Sequence, residues 1–230
     1  MDIFTFPDRG KLIAALSDRI GTALSRSISK QGRASLAVSG GSTPKPLFRQ
    51  LSGLDLLWQQ VVVTLVDERW VDPGGSDSNE QLVRQHLLQN RAAAAGFIGL
   101  KNAAPSADQG EAECERHLQE VPRPFTILIL GMGNDGHTAS LFPGADRLAA
   151  ATDMDSGRIC MAVTPKTAPH ARMTLTLPAI LDAEEILLHI TGPDKKAVLD
   201  KALTDGPPEV MPIRYVLRQQ TTPVTVYWAA

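Results

Sequence analysis

Two runs of the chain, Val61–Val66 (VVVTLV) and Phe125–Leu130 (FTILIL), are apolar or β-branched along their whole length. A strand that is apolar on both sides has to be covered on both sides, which is the condition of a central strand in a parallel sheet. Further short apolar runs at Ser35–Val38, Arg158–Val163, Glu185–Ile190 and Val224–Trp228 read as strands. Between them lie helical patterns. Residues 8–30 carry Leu12, Ile13, Leu16, Ile20, Leu24 and Ile28 at helical spacing. Thr43-Pro44 reads as an N-cap followed by a proline at the first helical position, opening a helix through Leu47 and Leu51. Residues 77–90, 107–119 and 194–203 read as helices, and 213–218 as a short one.

Strands that alternate with helices give an α/β fold: a mostly parallel, twisted sheet with helices on both faces, a Rossmann-like three-layer sandwich. No repeat, low-complexity tract or linker divides the 230 residues, so a single domain over 1–230 is expected, with 143–157 as a polar surface loop.

Lys plus Arg total 23 against 25 Asp plus Glu, a formal charge of -2. That balance speaks against nucleic acid as a partner, since binding it requires many phosphate-neutralising cations. No apolar run approaches a membrane span, and the N-terminus lacks the basic-then-apolar pattern of a signal peptide. The two cysteines, Cys114 and Cys160, make neither a disulfide framework nor a zinc spacing. A cytoplasmic protein without a metal is the expectation.

Five polar clusters each follow directly on a strand candidate: Ser39–Thr43, Asp67–Arg69, Gly131–His137, Thr164–Lys166 with Arg172 beyond it, and Gly192–Lys195. In an open parallel sheet the strand carboxyl ends lie along one edge, and ligands bind there. Ser39, Gly40, Gly41, Ser42 and Thr43 suit an anion cradle: glycines allow close backbone approach, hydroxyls donate, and the next helix presents its N-terminus. Arg172 and Lys195 are candidate phosphate partners, and Asp67 and Arg69 candidate contacts to substrate. Taken singly, each cluster has a plain alternative as a turn or a solvated surface group, and the case rests on their convergence.

Gly131–Gly136 matches GxGxxG, the pattern of dinucleotide-binding loops. Pro143 stops any following helix at Leu141-Phe142, and the next strand candidate ends without the acid that holds a ribose. His137 follows the glycines two residues after Asp135, and imidazole titrates where proton transfer near neutral pH needs it. As a lone histidine after a glycine turn it is equally well a structural residue. His86 and His117 lie on solvated helices, His189 alternates within a strand, and His170 in a loop is the rival. Trp58 and Trp228 read as core, with Trp70 less clear beside Arg69.

SGGSTP at Ser39–Pro44, VDERWV at Val66–Val71, GMGNDGHTASLFP at Gly131–Pro143 and ITGPDK at Ile190–Lys195 together resemble the 6-phosphogluconolactonase family. The likeness runs from the first helix to the last strand. Glucosamine-6-phosphate deaminases of the same superfamily share similar segments, but there the histidine leads into Ala-Phe-Asn-Glu-Pro, whose glutamate works in ring opening. Here Phe142 precedes the proline, and a phenyl ring transfers no proton.

The resemblance implies a cytoplasmic enzyme, monomer or homodimer, that needs no cofactor and takes a small sugar phosphate, 6-phospho-D-glucono-1,5-lactone. It further implies His137 as general base, oriented by Asp135. The 6-phosphate is expected on Ser39–Thr43, Arg172 and Lys195. Arg69 is expected to hold the substrate, Asp67 a sugar hydroxyl, and the glycine loop around Gly133 the oxyanion.

Overall fold

The computed structural model describes residues 1–230. Its strands are β1 (Asp2–Phe6), β2 (Ala34–Val38), β3 (Val61–Leu65), β4 (Asp67–Arg69), β5 (Gly96–Ile98), β6 (Ile127–Leu130), β7 (Cys160–Val163), β8 (Arg172–Leu175), β9 (Ile186–Thr191) and β10 (Val224–Ala229). Its helices are α1 (Arg9–Gln31), α2 (Lys45–Ser52), α3 (Asn79–His86), α4 (Ala107–Leu118), α5 (Leu148–Thr152), α6 (Leu177–Leu181), α7 (Pro193–Leu203) and α8 (Ile213–Arg218).

Seven strands pair in parallel in the order β1-β10-β9-β6-β2-β3-β5. Every residue of β2 and β6 is buried, as expected of strands covered on both faces. α1 lies across β1, β2, β6 and β10 and buries Leu12, Leu16, Ile20, Leu24 and Ile28. It starts where Asp8 accepts a hydrogen bond from the Lys11 amide at 2.8 Å and stops at Gly32, at φ 73°. No helix is long and apolar enough to cross a membrane.

From β2 the chain builds outward through β3 to β5, and from β6 it builds the other way through β9 and β10. The winding therefore reverses between β2 and β6. Loops leaving the carboxyl ends of two such strands diverge to opposite faces and leave a crevice between them. The loops here are Ser39–Thr43 and Gly131–His137.

Several expectations need correction. Arg158–Val163 yields β7, which joins β8 and β4 in a separate three-stranded antiparallel sheet. Only residues 164–171 separate β7 from β8, too few for the crossover that a parallel return requires. Asp67–Arg69 is itself β4, carried out of the main sheet by Val66 into that smaller one. Residues 143–157 include α5, whose Leu148 and Ala151 are buried, so the segment is not merely surface loop. The helix expected over 77–90 spans only Asn79–His86. Pro44, not Thr43, occupies the cap of α2, and no side chain caps that helix. Between Gly136 and Pro143 there is no helix, only an isolated bridge between Thr138 and Leu141.

Candidate active site

The crevice is a cavity of about 360 Å³, within the range that holds a small ligand. Ten of the twelve residues expected at the site line it: Ser39–Thr43, Asp67, Arg69, Gly133, His137 and Lys195. Asp135 and Arg172 do not line it; Asp135 contacts His137 and Arg172 pairs with Arg69, both of which do.

The Ser39 hydroxyl donates to the Ile129 carbonyl at 3.0 Å and accepts from the Gly131 amide at 3.2 Å. It is thereby committed to stitching the ends of β2 and β6 together. The amides of Gly40, Gly41, Ser42 and Thr43 donate to no acceptor within the protein. Four unspent donors on a concave wall are what an anion requires. Only glycine fits at position 40, because a Cβ there would stand 1.8 Å from Asn79 Oδ1. Lys195 enters from the start of α7 and donates to Asn134 Oδ1 at 2.6 Å. Burial lowers its ammonium below the ordinary value, against the pull of Asp135 and Asp194.

On the facing wall, Asp67 accepts from the buried Ser140 hydroxyl at 2.6 Å. Its Oδ1 is 3.4 Å from Asn79 Nδ2. Glu68 turns the other way. It accepts the amides of Arg69, Asn79 and Glu80 and the Ser78 hydroxyl, so it anchors α3 to β4. Burial pushes its carboxyl up, opposed by those donors.

Arg69 donates to the Asp77 carbonyl at 2.6 Å and faces Arg172 across the β4–β8 ladder. Arg172 is 5% exposed, and its Nε and Nη1 have no partner. Burial, and then repulsion from Arg69, lowers the Arg172 guanidinium below its ordinary value. Two guanidiniums side by side, one with idle buried donors, are costly unless an anion joins them.

His137 sits at the mouth of the glycine loop, which Gly133 closes by donating to the His137 carbonyl at 2.8 Å. The Asp135 carboxylate is 2.6 Å from His137 Nδ1. Burial pushes the Asp135 carboxyl up, but the hydrogen bond and charge of His137 outweigh it and hold it below its ordinary value. The imidazole stacks on Phe142 at 4.0 Å between ring centroids. His170, the rival, lies off the cavity and contacts Asp77 Oδ2 at 3.3 Å.

Four residues of the site escaped sequence reasoning. Asn79 and Ser140 support Asp67 from α3 and from the loop after His137; no local pattern marks Asn79, and the motif that contains Ser140 does not mark its contact with Asp67. Phe142 stands out in the sequence only as a missing carboxylate. His189 borders the cavity from β9, with both ring nitrogens buried and unpartnered, and burial lowers it to about 4. Its only sequence signal is being the one polar residue between Ile186 and Ile190.

A family model described as glucosamine-6-phosphate isomerases/6-phosphogluconolactonase matches residues 7–228. A 6-phosphogluconolactonase of Mesorhizobium japonicum is 46% identical over 224 residues, 97% of this chain and 93% of that protein. One from Rhizobium meliloti is 44% identical over 229 residues, 100% of this chain and 98% of that protein. The crystal structure of a 6-phosphogluconolactonase from Shewanella baltica superposes with a TM-score of 0.98 at 45% identity, covering 100% of this chain and 98% of that one. With its glycine–histidine loop and amide cradle meeting at the reversal of the sheet, the chain belongs to the glucosamine-6-phosphate isomerase/6-phosphogluconolactonase family.

Proposed function

We propose that this enzyme hydrolyses 6-phospho-D-glucono-1,5-lactone to 6-phosphogluconate with His137 as the general base. The observation that carries the reading is the Asp135–His137 pair, 2.6 Å apart, on the rim of the same cavity as four unspent amides. One wall suits a phosphate and the other suits proton transfer.

A carboxylate only accepts hydrogen bonds, so Asp135 fixes the proton of His137 on Nδ1 and leaves the Nε2 lone pair free. Nε2 takes a proton from water as the oxygen attacks C1. Negative charge collects on the carbonyl oxygen, and the Ala139 amide, which donates to nothing else in the protein, is available to it. Collapse breaks the bond from C1 to the ring oxygen, and the imidazolium returns the proton to that oxygen. The 6-phosphate is held by the Gly40–Thr43 amides, the Ser42 and Thr43 hydroxyls and Lys195. Arg69 and Arg172 supply the remaining positive charge, and Asp67 accepts from a sugar hydroxyl. This reading puts the enzyme in the cytoplasm, in the oxidative branch of the pentose phosphate pathway.

Phe142 argues against amino-sugar deamination, since the position before Pro143 carries no carboxylate. The test is a coupled assay on freshly made lactone phosphate, corrected for spontaneous hydrolysis. His137→Ala is expected to lose about 10²–10⁴-fold in kcat while remaining folded. Wild-type turnover by that variant, or ammonia release from glucosamine 6-phosphate by the native enzyme, refutes the assignment.

A further inference from the structure

The imidazole of His137 is bounded on three sides. Asp135 takes its Nδ1 edge at 2.6 Å. Gly133 lies so close that a Cβ there would stand 2.0 Å from Nδ1 and 2.2 Å from Cε1. Phe142 covers one face, with ring centroids 4.0 Å apart and planes 28° from parallel. Phe142 is itself 6% exposed, and the Arg172 guanidinium carbon is 5.9 Å from its centroid.

These contacts do different jobs. One hydrogen bond pins Nδ1 but leaves the ring free to rock about the line from Nδ1 to the carboxylate. Rocking of that kind tilts the ring plane and carries the Nε2 lone pair off its direction. A flat, packed phenyl ring against the face removes it, and offset aromatic contact is favourable in its own right.

We infer that Phe142 is a positioning residue of the reaction: by lying against His137 it fixes the imidazole plane, so that Nε2 faces the water over C1. The role rests on the lactone-hydrolase reading above. Phe142 touches no reacting atom and acts only through His137.

The test compares Phe142→Leu, which keeps apolar bulk without a flat ring, with Phe142→Tyr, which keeps the ring. Phe142→Leu is expected to lower kcat on the order of 10–100-fold, as a misplaced catalytic group does. KM for the lactone and Kd for 6-phosphogluconate should not change, and Phe142→Tyr should keep the native rate. Equal kcat in Phe142→Leu and wild type, or equal loss in both variants, overturns the inference. A second readout needs no variant at position 142. In the native protein the His137 ring protons, identified by their loss in His137→Asn, should lie upfield of those of His86 and His117 in the proton spectrum. No upfield shift overturns the stacking on which the role depends. If the native enzyme fails to open the lactone, the reaction and this role fall together. If it succeeds and Phe142→Leu matches it, only the role of Phe142 falls.

Discussion

Asp135 Oδ1 lies 2.6 Å from Nδ1 of His137 and 3.1 Å from the His137 backbone nitrogen. One carboxylate oxygen therefore holds both the ring and the main chain of the residue proposed to move the proton. Asp135→Asn keeps the size but offers an amide that can either accept from or donate to Nδ1. The preference for a proton on Nδ1 is then lost, and kcat should fall at least about tenfold with KM little changed. Steady-state kinetics on the lactone phosphate decide it, and an unaltered kcat removes Asp135 from the mechanism.

Gly133→Ala tests the same geometry from below. A methyl group 2.0 Å from Nδ1 cannot coexist with the imidazole where it stands. The His137 side chain is 30% exposed, so it can swing outward at little cost to the fold. The variant should keep its melting temperature within a few degrees and lose most of its kcat. A crystal structure of the variant should show the imidazole displaced and the bond to Asp135 broken.

Lys195→Ala addresses the opposite wall. In the proposed reaction Lys195 presents a point charge to the 6-phosphate, a contact that would be made equally in the ground and transition states. Such a contact supports binding more than chemistry. KM for the phosphorylated lactone should rise about tenfold or more, with kcat within about threefold of native. Inhibition by inorganic phosphate should weaken in parallel. Unchanged phosphate inhibition would move the anchor elsewhere in the cavity.

His189 gives a pH-dependence of stability. Burial lowers it from 6.5 to about 4 in the folded protein. The unfolded chain therefore binds a proton that the folded one refuses across that interval. By linkage, stability is complete above pH 6.5 and falls as pH drops toward 4, by about 3 kcal/mol for this one group. Urea unfolding of the native protein between pH 7 and pH 4 should show that loss, and His189→Leu should lack this component. Parallel curves for the two proteins refute it.

Much of the architecture was legible in local pattern. VVVTLV and FTILIL could only be covered on both faces, and the spacing of Leu12, Leu16, Ile20, Leu24 and Ile28 could only be one helical stripe. A parallel sheet in turn puts the strand-end clusters along one edge, so ten of the twelve residues expected at the site reach the cavity. Those inferences needed only periodicity and the direction of strands.

Pairing partners were not legible, because they depend on segments distant in the chain. β7 reads as a strand from its own residues, yet the short return to β8 sends it into a second sheet, and Thr164–Lys166 goes with it away from the cavity. β1 is an edge strand with four of five residues exposed, so it shows no buried pattern before β10 lies beside it. Asn79 and His189 carry no motif, Ser140 and Phe142 sit in one that does not name their partners, and the meaning of all four comes from what they touch. Periodicity reports which face of a segment leaves water, whereas contact across dozens of residues exists only once the chain has closed on itself.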